Sequence, residues 1–534
     1  MAFDGLVTRS VVNELNNTIL NCKIDKVHQP NKDDVIFVIR SFNKNLKLIL
    51  SSNATLSRAH LTNMVYENPE KPFNFCMVLR KHLSGAKITK IEQISNDRII
   101  KFTFENSNEL GDRETKVLIV EIMGKYSNII LLTENLTIID SIKHVDFETS
   151  SVREVMPGRK YELPLTDGKK NPFIEQENSN SIIASDITKN YLGISTLFAK
   201  EIENNKLNLF DEIVKPISPC ILMKNGEFID FYIYHIHEYA VKDFDSISET
   251  IDTYFTNKIS QDGLKSKKNE LLSIVSSSYT KNEKKLKIVM DKLKTTEDME
   301  NLRVYGELLT ANLYKITENA SEITVFNYYT NEDITIPLDI NLSPAGNQKK
   351  IFKKYTKLKN TYTACTSQKE EIELELNYLE SIFFEIDSAE SVDELYDIRL
   401  ELINSGFIKT TKKAQKIEPS KPIKLIYKDF TIYVGKNNIQ NDYLTFDVAR
   451  KTDIWLHAKN IPGSHTIIKT DNRDVPDDVI LYAASFAAKH SKAKNSPKVD
   501  IDYTEVKNVK KIPGAKPGMV IYNNFKTVYV EPAL

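Results

Sequence analysis

A chain of 534 residues with 41% hydrophobic and 27% charged residues is excluded from the wholesale disordered class, and its length suggests roughly three or four domains. The 72 Lys and Arg against 73 Asp and Glu give a formal net charge of −1, so whole-chain charge says nothing about partners. Its distribution does: residues 421–534 hold 18 Lys and Arg against 12 Asp and Glu, a net of +6 that leaves −7 for the first 420, and residues 487–516 alone hold 8 against 3.

Residues 1–170 read as a mixed α/β domain. Helical patterns cover residues 8–20 and 73–84, and strand-like apolar runs cover 35–39, 46–50, 99–104, 117–122 and 128–132. Met156-Pro157-Gly158-Arg159 is an exit turn, and the polar stretch 171–185 follows as a linker. A second domain over 180–255 turns helical from 187 to 236. There Leu192-Gly193-Ile194-Ser195, between two helical stretches, predicts a helix-hairpin-helix element offering backbone N–H groups to phosphate. A plain turn between packed helices has the same pattern.

Heptads dominate residues 260–418. Leu272, Val275, Tyr279, Leu286, Val289 and Leu293 keep 3-4 spacing around Asn282. Ile351, Tyr355, Leu358, Tyr362, Cys365, Lys369, Ile372, Leu376, Leu379, Phe383 and Ile386 alternate steps of 4 and 3. Two such helices, joined by a short β-rich insert at 323–338, predict an antiparallel coiled-coil arm roughly 60 Å long. A dimerisation coiled coil fits the same spacing. Two prolines within 418–424 close the arm. A small α/β module over 421–534 follows, with a helix at 478–490 and terminal strands at 499–503, 519–522 and 527–530.

No P-loop, G-x-G-x-x-G, H-E-x-x-H or G-x-S-x-G pattern occurs, and no nucleophile–base–orienter set assembles. The chain therefore reads as a binding protein, neither an enzyme nor dependent on a cofactor. Cys22, Cys76, Cys220 and Cys365 lie far apart, which argues against a zinc ribbon or disulfide framework and fits a reducing compartment. The N-terminus reads as lacking a signal peptide and no apolar run approaches a membrane span, so the expected location is cytoplasmic. His235 and His237 share strand parity but lack an evident third ligand, and so read as structural or surface residues.

Three clusters are candidates for nucleic acid. Asp97 and Arg98 follow a turn, and Arg98 shares parity with Ile100, Phe102 and Phe104, which places it at the rim of the core. Such a pair fits ribose, base edge and phosphate, and a structural ion pair equally. A second turn offers Glu121, Met123, Gly124 for close backbone approach, Lys125 and the aromatic Tyr126; an ordinary hairpin turn looks the same. The third cluster joins the only tryptophan, Trp455, with His457 and His465 to the lysines Lys489, Lys492, Lys494, Lys507, Lys510, Lys511 and Lys516. Trp455 could stack on a base there, or pack in the core with His457 at the surface.

Asp453-Ile454-Trp455-Leu456-His457-Ala458 with Pro462-Gly463-Ser464-His465, preceded by Val434-Gly435-Lys436-Asn437 and Gln440-Asn441-Asp442, resembles the RNA-binding module of the NFACT family. Val499 to Thr504 and Gly514-Ala515-Lys516-Pro517-Gly518 continue the likeness. Phe3-Asp4-Gly5, Arg80-Lys81-His82, the 121–128 turn, Met156–Arg159 and Ser343-Pro344 extend it along the whole chain. The resemblance implies a ribosome quality-control factor that binds the 50S ribosomal subunit (its rRNA and ribosomal proteins) carrying stalled peptidyl-tRNA. It further implies recruitment of alanine tRNA for template-free alanine tailing, with no membrane partner. It assigns to Asp97 and Arg98 the pair needed for tailing and turns the 121–125 loop toward tRNA. Some relatives are described as fibronectin-binding, which makes a fibronectin-binding surface adhesin one alternative, beside a general RNA-binding adaptor. The N-terminal domain also resembles DNA glycosylases that open with proline and glutamate; Ala2 and Phe3 stand at those positions, which implies a shared fold without the chemistry.

Overall fold

Helix α1 (Gly5–Ile19) starts where Asp4 caps it, the Asp4 Oδ1 accepting from Val7 N at 3.0 Å. Strands β1 (Lys23–His28), β2 (Asp34–Arg40), β3 (Asn45–Ser51) and β4 (Arg58–Leu61) follow. Helix α2 (Asn74–Leu83) leads into β5 (Lys87–Gln93), β6 (Ile99–Ser107), β7 (Arg113–Glu121), β8 (Asn128–Thr133) and β9 (Ile138–Ser141). In this computed structural model, which describes all residues except 1–2, 42–43, 108–112, 151, 167, 175–182, 410–419 and 534, the nine strands form one antiparallel sheet. Its order is β4-β3-β2-β1-β5-β6-β7-β8-β9, two meanders joined where Lys23 pairs with Lys87.

One face of the sheet is covered by Leu6, Val11, Leu15 and Ile19 of α1 and Leu79 of α2, packed on Phe37, Phe102 and Phe104. The far half is also buried on its other face, by Ile99, Val117, Ile119, Ile130 and Val155. Two-sided burial explains the unbroken apolar runs of β7 and β8. Phe3 is core, while Ala2 lies outside the described residues, as do parts of the linker expected at 171–185 and of the proline segment at 418–424.

The expectation of an all-helical stretch from 187 to 236 is corrected. Helices α3 (Ala184–Asn190), α4 (Thr196–Asn205) and α5 (Leu209–Glu212) give way to β10 (Cys220–Lys224), β11 (Glu227–Tyr232) and β12 (Ala240–Asp243). The hairpin signal is Asn225-Gly226: both have positive φ, 53° and 81°, as a two-residue turn between right-twisted strands requires. His235 and His237 follow β11 in a loop and not on a strand.

The chain divides into two units, up to Gln261 and from Asp262 onward. The long helix α6 (Ile247–Lys294) carries that boundary. In the second unit α7 (Met299–Asn312), the hairpin β13 (Glu322–Asn327) and β14 (Glu332–Pro337), α8 (Pro344–Ser388) and α9 (Val392–Asn404) follow. Helix α8 opens with Pro344 behind the cap Ser343, whose Oγ accepts from Gly346 N. Helices α6 and α8 run antiparallel, since Lys268 reaches the Asp387 carbonyl while Tyr279 reaches Glu380 and packs edge-on to Phe383.

Strands β15 (Ile423–Tyr427) and β16 (Phe430–Val434), helix α10 (Asn438–Tyr443), β17 (Ile454–Ala458), β18 (Thr466–Lys469), α11 (Asp477–Lys489), β19 (Val499–Glu505), β20 (Val509–Lys511), β21 (Val520–Tyr522) and β22 (Lys526–Val530) complete the chain. Their main sheet has the order β15-β16-β18-β17-β19-β22. The apolar stripe of α11, Val479, Ala483, Ala484 and Ala487, covers one face. The protein is thus a mixed α/β multidomain chain of long helices and antiparallel sheets.

Candidate nucleic-acid interface

Two candidate segments come together at one end of the first sheet. Ile99 of β6 pairs with Glu121 of β7, and Ile122 N donates to the Arg98 carbonyl at 2.9 Å, so Asp97–Arg98 and the 121–127 turn are neighbours across a strand pair. Register, which depends on the whole sheet, creates the adjacency.

The Asp97 side is held from below. Gln93 Nε2 donates to the carbonyls of both Gly5 and Asp97 at 2.8 Å, and Asn96 Nδ2 donates to the Leu192 carbonyl at 2.8 Å. Gly5 N donates to Gly193 O at 2.8 Å, and a Cβ on Gly193 would meet Asn96 O at 1.8 Å. Gly193 also has φ +72°, so both sterics and backbone demand glycine. The phosphate reading of the 192–195 turn loses two of its donors: Ser195 N donates to Asp4 Oδ2 and Leu192 N to the Lys170 carbonyl, while the carbonyls of Leu192 and Gly193 hold Asn96 and Gly5. Burial raises the Asp4 carboxyl above its usual range, against hydrogen bonds from Val7, Ser195 and Tyr232.

What this platform exposes is small. Asp97 is nearly buried, its Oδ1 accepting from Arg98 N at 2.7 Å, while the Arg98 side chain is 36% exposed and its Nε lies 3.9 Å from the same oxygen. That loose pair leaves the guanidinium able to take a phosphate or base edge.

Glu121 is corrected as a ligand-facing residue. It is fully buried, takes a bidentate pair from Arg153 at 2.6 and 2.7 Å, and accepts from the Tyr161 hydroxyl at 2.8 Å. Burial and then the Glu121 carboxylate push the Tyr161 phenol up. Glu121 therefore fixes the end of β7. Met123 is half-buried, its N–H donating to Ser127 Oγ at 2.7 Å, and buried Gly124 makes the turn at φ +60°. Lys125 and Tyr126 protrude: Tyr126 is 70% exposed, and the Lys125 ammonium sits 4.7 Å from its ring centroid. An exposed aromatic on a turn, beside a cation, has the chemistry that stacking on a base requires. Sequence reasoning noted this aromatic and gave it no role.

The C-terminal candidates sort differently. Trp455 is 0% exposed, packed with Leu444, Ile467, Val506 and Val509, so it cannot stack on a base. A tryptophan on β17 lies between two partner strands, with both faces of the sheet covered. His465 is buried too, its Nδ1 2.8 Å from Thr445 Oγ1 and its N–H donating to Asn441 Oδ1. Burial pushes both imidazoles down, His457 to about 4, so they are neutral at physiological pH. His457 is half-buried and faces a cavity of about 430 Å³ bordered by Asn377, Glu380, Asn438, Pro462 and Tyr522. Asp453, fully buried, accepts from Thr470 N and Arg450 N and pairs with Lys469, an anchor for the strand.

Several lysines are engaged within the second unit. Lys492 pairs with Glu380 and Lys494 with Asp387, both at 3.7 Å and both toward α8. Lys516 donates to the Ser405 carbonyl and lies over the Phe407 ring, while Lys511 pairs with Asp442. Lys489 ends α11 and Lys510 is exposed on β20. The residues 435–442 join the module to α8 and α9. Lys436 reaches Glu394 at 2.7 Å, and Asn438 Nδ2 donates to Ser381 Oγ and Glu401 Oε1. Burial raises the Glu401 carboxyl to about 7, and the neighbouring Glu385 is raised by burial and by Glu401.

A rigid rim carrying a cation, an aromatic and an Asp-Arg pair, with a separate module rich in lysine, is the build of a nucleic-acid-binding protein. A family model described as NFACT N-terminal and middle domains matches residues 4–421, and one described as NFACT protein RNA binding domain matches 426–524. The chain belongs to the NFACT family. It is 39% identical, over all of its length and 98% of the relative's, to the Rqc2 homolog RqcH of Bacillus subtilis. It is 26% identical over 34% of its length, and 17% of the relative's, to ribosome quality control complex subunit 2 of Schizosaccharomyces pombe. A solved N-terminal portion of the fibronectin/fibrinogen-binding protein of Streptococcus suis is 30% identical over 48% of this chain and 99% of that one, at a TM-score of 0.44. Among the described residues no helix is long and apolar enough to cross a membrane.

Proposed function

We propose that this protein is a cytoplasmic ribosome quality control factor. It binds 50S subunits obstructed by peptidyl-tRNA, recruits alanyl-tRNA and directs template-independent alanine tailing of the stalled chain. The observation that carries the reading is the rim formed by Asp97, Arg98, Lys125 and Tyr126, held by buried hydrogen bonds yet open at its tip. The full-length likeness to an Rqc2 homolog supports it.

In this reading Arg98 takes a phosphate or a base edge of the anticodon stem-loop, and Asp97 accepts from a ribose hydroxyl or base amino group. Tyr126 stacks on an unpaired base and Lys125 neutralises a phosphate beside it. The protein is not itself an enzyme: it positions tRNA, and ribosomal RNA makes the peptide bond. The lysine-rich module holds the outer tRNA body or rRNA, and the long helices brace against the subunit.

The test is to pull the tagged protein from its native cells and sequence the RNA recovered with it. Enrichment of 23S rRNA together with alanine tRNA is the expected result. Recovery of no RNA above background overturns the reading, and surface labelling of intact cells would then decide for or against a fibronectin-binding adhesin.

A further inference from the structure

The small sheet of the first unit gathers three donors that lie far apart in sequence. On its central strand β10, Cys220 is the register partner of Asp243 on β12 and of Tyr232 on β11, and the loop leaving β11 brings His235 back over the same strand end. One ligand atom from each of Cys220, His235 and Asp243 falls within 4.8 Å of the other two. His235 Nε2 and Asp243 Oδ1 are 2.6 Å apart, and Ser218 Oγ lies 3.3 Å from the same nitrogen. The thiol is fully buried and donates to the Tyr234 carbonyl at 3.6 Å, whereas the imidazole and the carboxylate are each about half exposed.

We propose that Cys220, His235 and Asp243 form a binding site for one borderline-soft divalent cation of the Zn2+ class. The donor set selects the metal. A thiolate and an imidazole favour Zn2+ and its neighbours, whereas Ca2+ and Mg2+ demand oxygen ligands. A tetrahedral ion with bonds of about 2.0–2.3 Å holds its ligands roughly 3.3–3.8 Å apart, so the cluster closes on the ion by small rotations of two surface side chains. Strand register fixes the Cys220 backbone opposite Asp243. On binding, the Cys220 S–H bond breaks, its proton leaves to solvent, the sulfur lone pair forms the metal bond, and the hydrogen bond to Tyr234 is given up. Exposure of His235 and Asp243 leaves the fourth position to water. The bound ion cross-links the start of β10, the end of β12 and the loop after β11. This site is independent of the ribosomal reading.

The test uses the full-length protein, stripped with a chelator and titrated with Co2+ alone. One equivalent producing a thiolate-to-cobalt charge-transfer band, bleached by Zn2+, is expected. Cys220→Ser should abolish the band, and the double variant His235→Ala with Asp243→Ala should weaken binding at least tenfold. The double variant changes only half-exposed side chains, so it carries the test if the buried Cys220→Ser fails to fold. Absence of a saturable band, or a band unchanged in both variants, overturns the site.

Discussion

Arg98 stands just before β6 begins and Lys125 and Tyr126 just after β7 ends, whereas Trp455 and His457 stand within β17, a central strand of the C-terminal sheet. Both regions combine aromatics with cations or imidazoles, and composition alone treats them alike. Strand ends release side chains to solvent above a fixed base. A central strand with both faces covered buries most of its side chains, Trp455 among them, and leaves His457 half-buried against a cavity. Position in the sheet decides which tyrosine, tryptophan or histidine can meet a ligand.

The largest expected effect tests the rim. Asp97→Ala should abolish alanine tailing while 50S co-sedimentation stays intact, because its carboxylate orients the segment through Arg98 N and the platform below is untouched. Loss of both activities would mean a folding defect and would remove the distinction between platform and tip.

Next comes a paired substitution across the two regions. Trp455→Ala should destabilise the second unit by about 3–5 kcal/mol, the cost of emptying a large core site. Tyr126→Ala should leave thermal stability unchanged and weaken tRNA binding by about 1–3 kcal/mol, the worth of one stacked base. Melting curves and filter binding on the same two variants check this. The reverse assignment of effects would invert the comparison.

The same contrast shows what sequence made legible. Strands β2, β3, β6, β7 and β8 were readable because apolar parity or unbroken apolar runs persisted through each. Strands β1 and β5 were missed because each carries a register shift, at Ile24/Lys26 and Ile88/Lys90, that breaks the period of two. Asn225-Gly226 is a hairpin signal legible in the sequence itself. Asp97 and Arg98 were found as a turn, and their tailing role rested on family resemblance, but their adjacency to Lys125 depends on pairing across β6 and β7. Burial of Glu121 was not legible, since its partner Arg153 lies 32 residues away. Cys220, His235 and Asp243 converge only through the order β11-β10-β12.

A smaller effect is expected at the junction of α8 and α9 with the module. The folded-state carboxyl of Glu401 is raised to about 7, by burial first. The unfolded chain therefore binds fewer protons between about pH 4.5 and 7, and the stability this group contributes below that window is lost as pH rises through it. Glu401→Gln keeps an oxygen for Tyr378 and Asn438 while removing the ionisation. It should raise stability at pH 7.5 by about 1–3 kcal/mol and flatten the decline between pH 5 and 7.5. Melts with wild-type slope would place the titration elsewhere.

The smallest effect separates lysines that hold the fold from lysines free to exchange partners. The pairs Lys492–Glu380 and Lys494–Asp387 are long and exposed, the two lysines 62% and 41% open to solvent. Such pairs contribute about 0–1 kcal/mol, so a phosphate can replace either carboxylate at little cost. Lys516 is tied to the Ser405 carbonyl at 2.7 Å and to the Phe407 ring, and leaving that site forfeits both contacts. Lys492→Ala with Lys494→Ala should therefore lower the slope of log affinity for tRNA against log salt by about one per lysine, with stability unchanged. Lys516→Ala should instead cost about 1 kcal/mol of stability and leave the slope where it was. Equal slopes for all three proteins would mean that these lysines face α8 in the RNA complex as they do without it, and the phosphate contacts would have to be sought at residues such as Lys510.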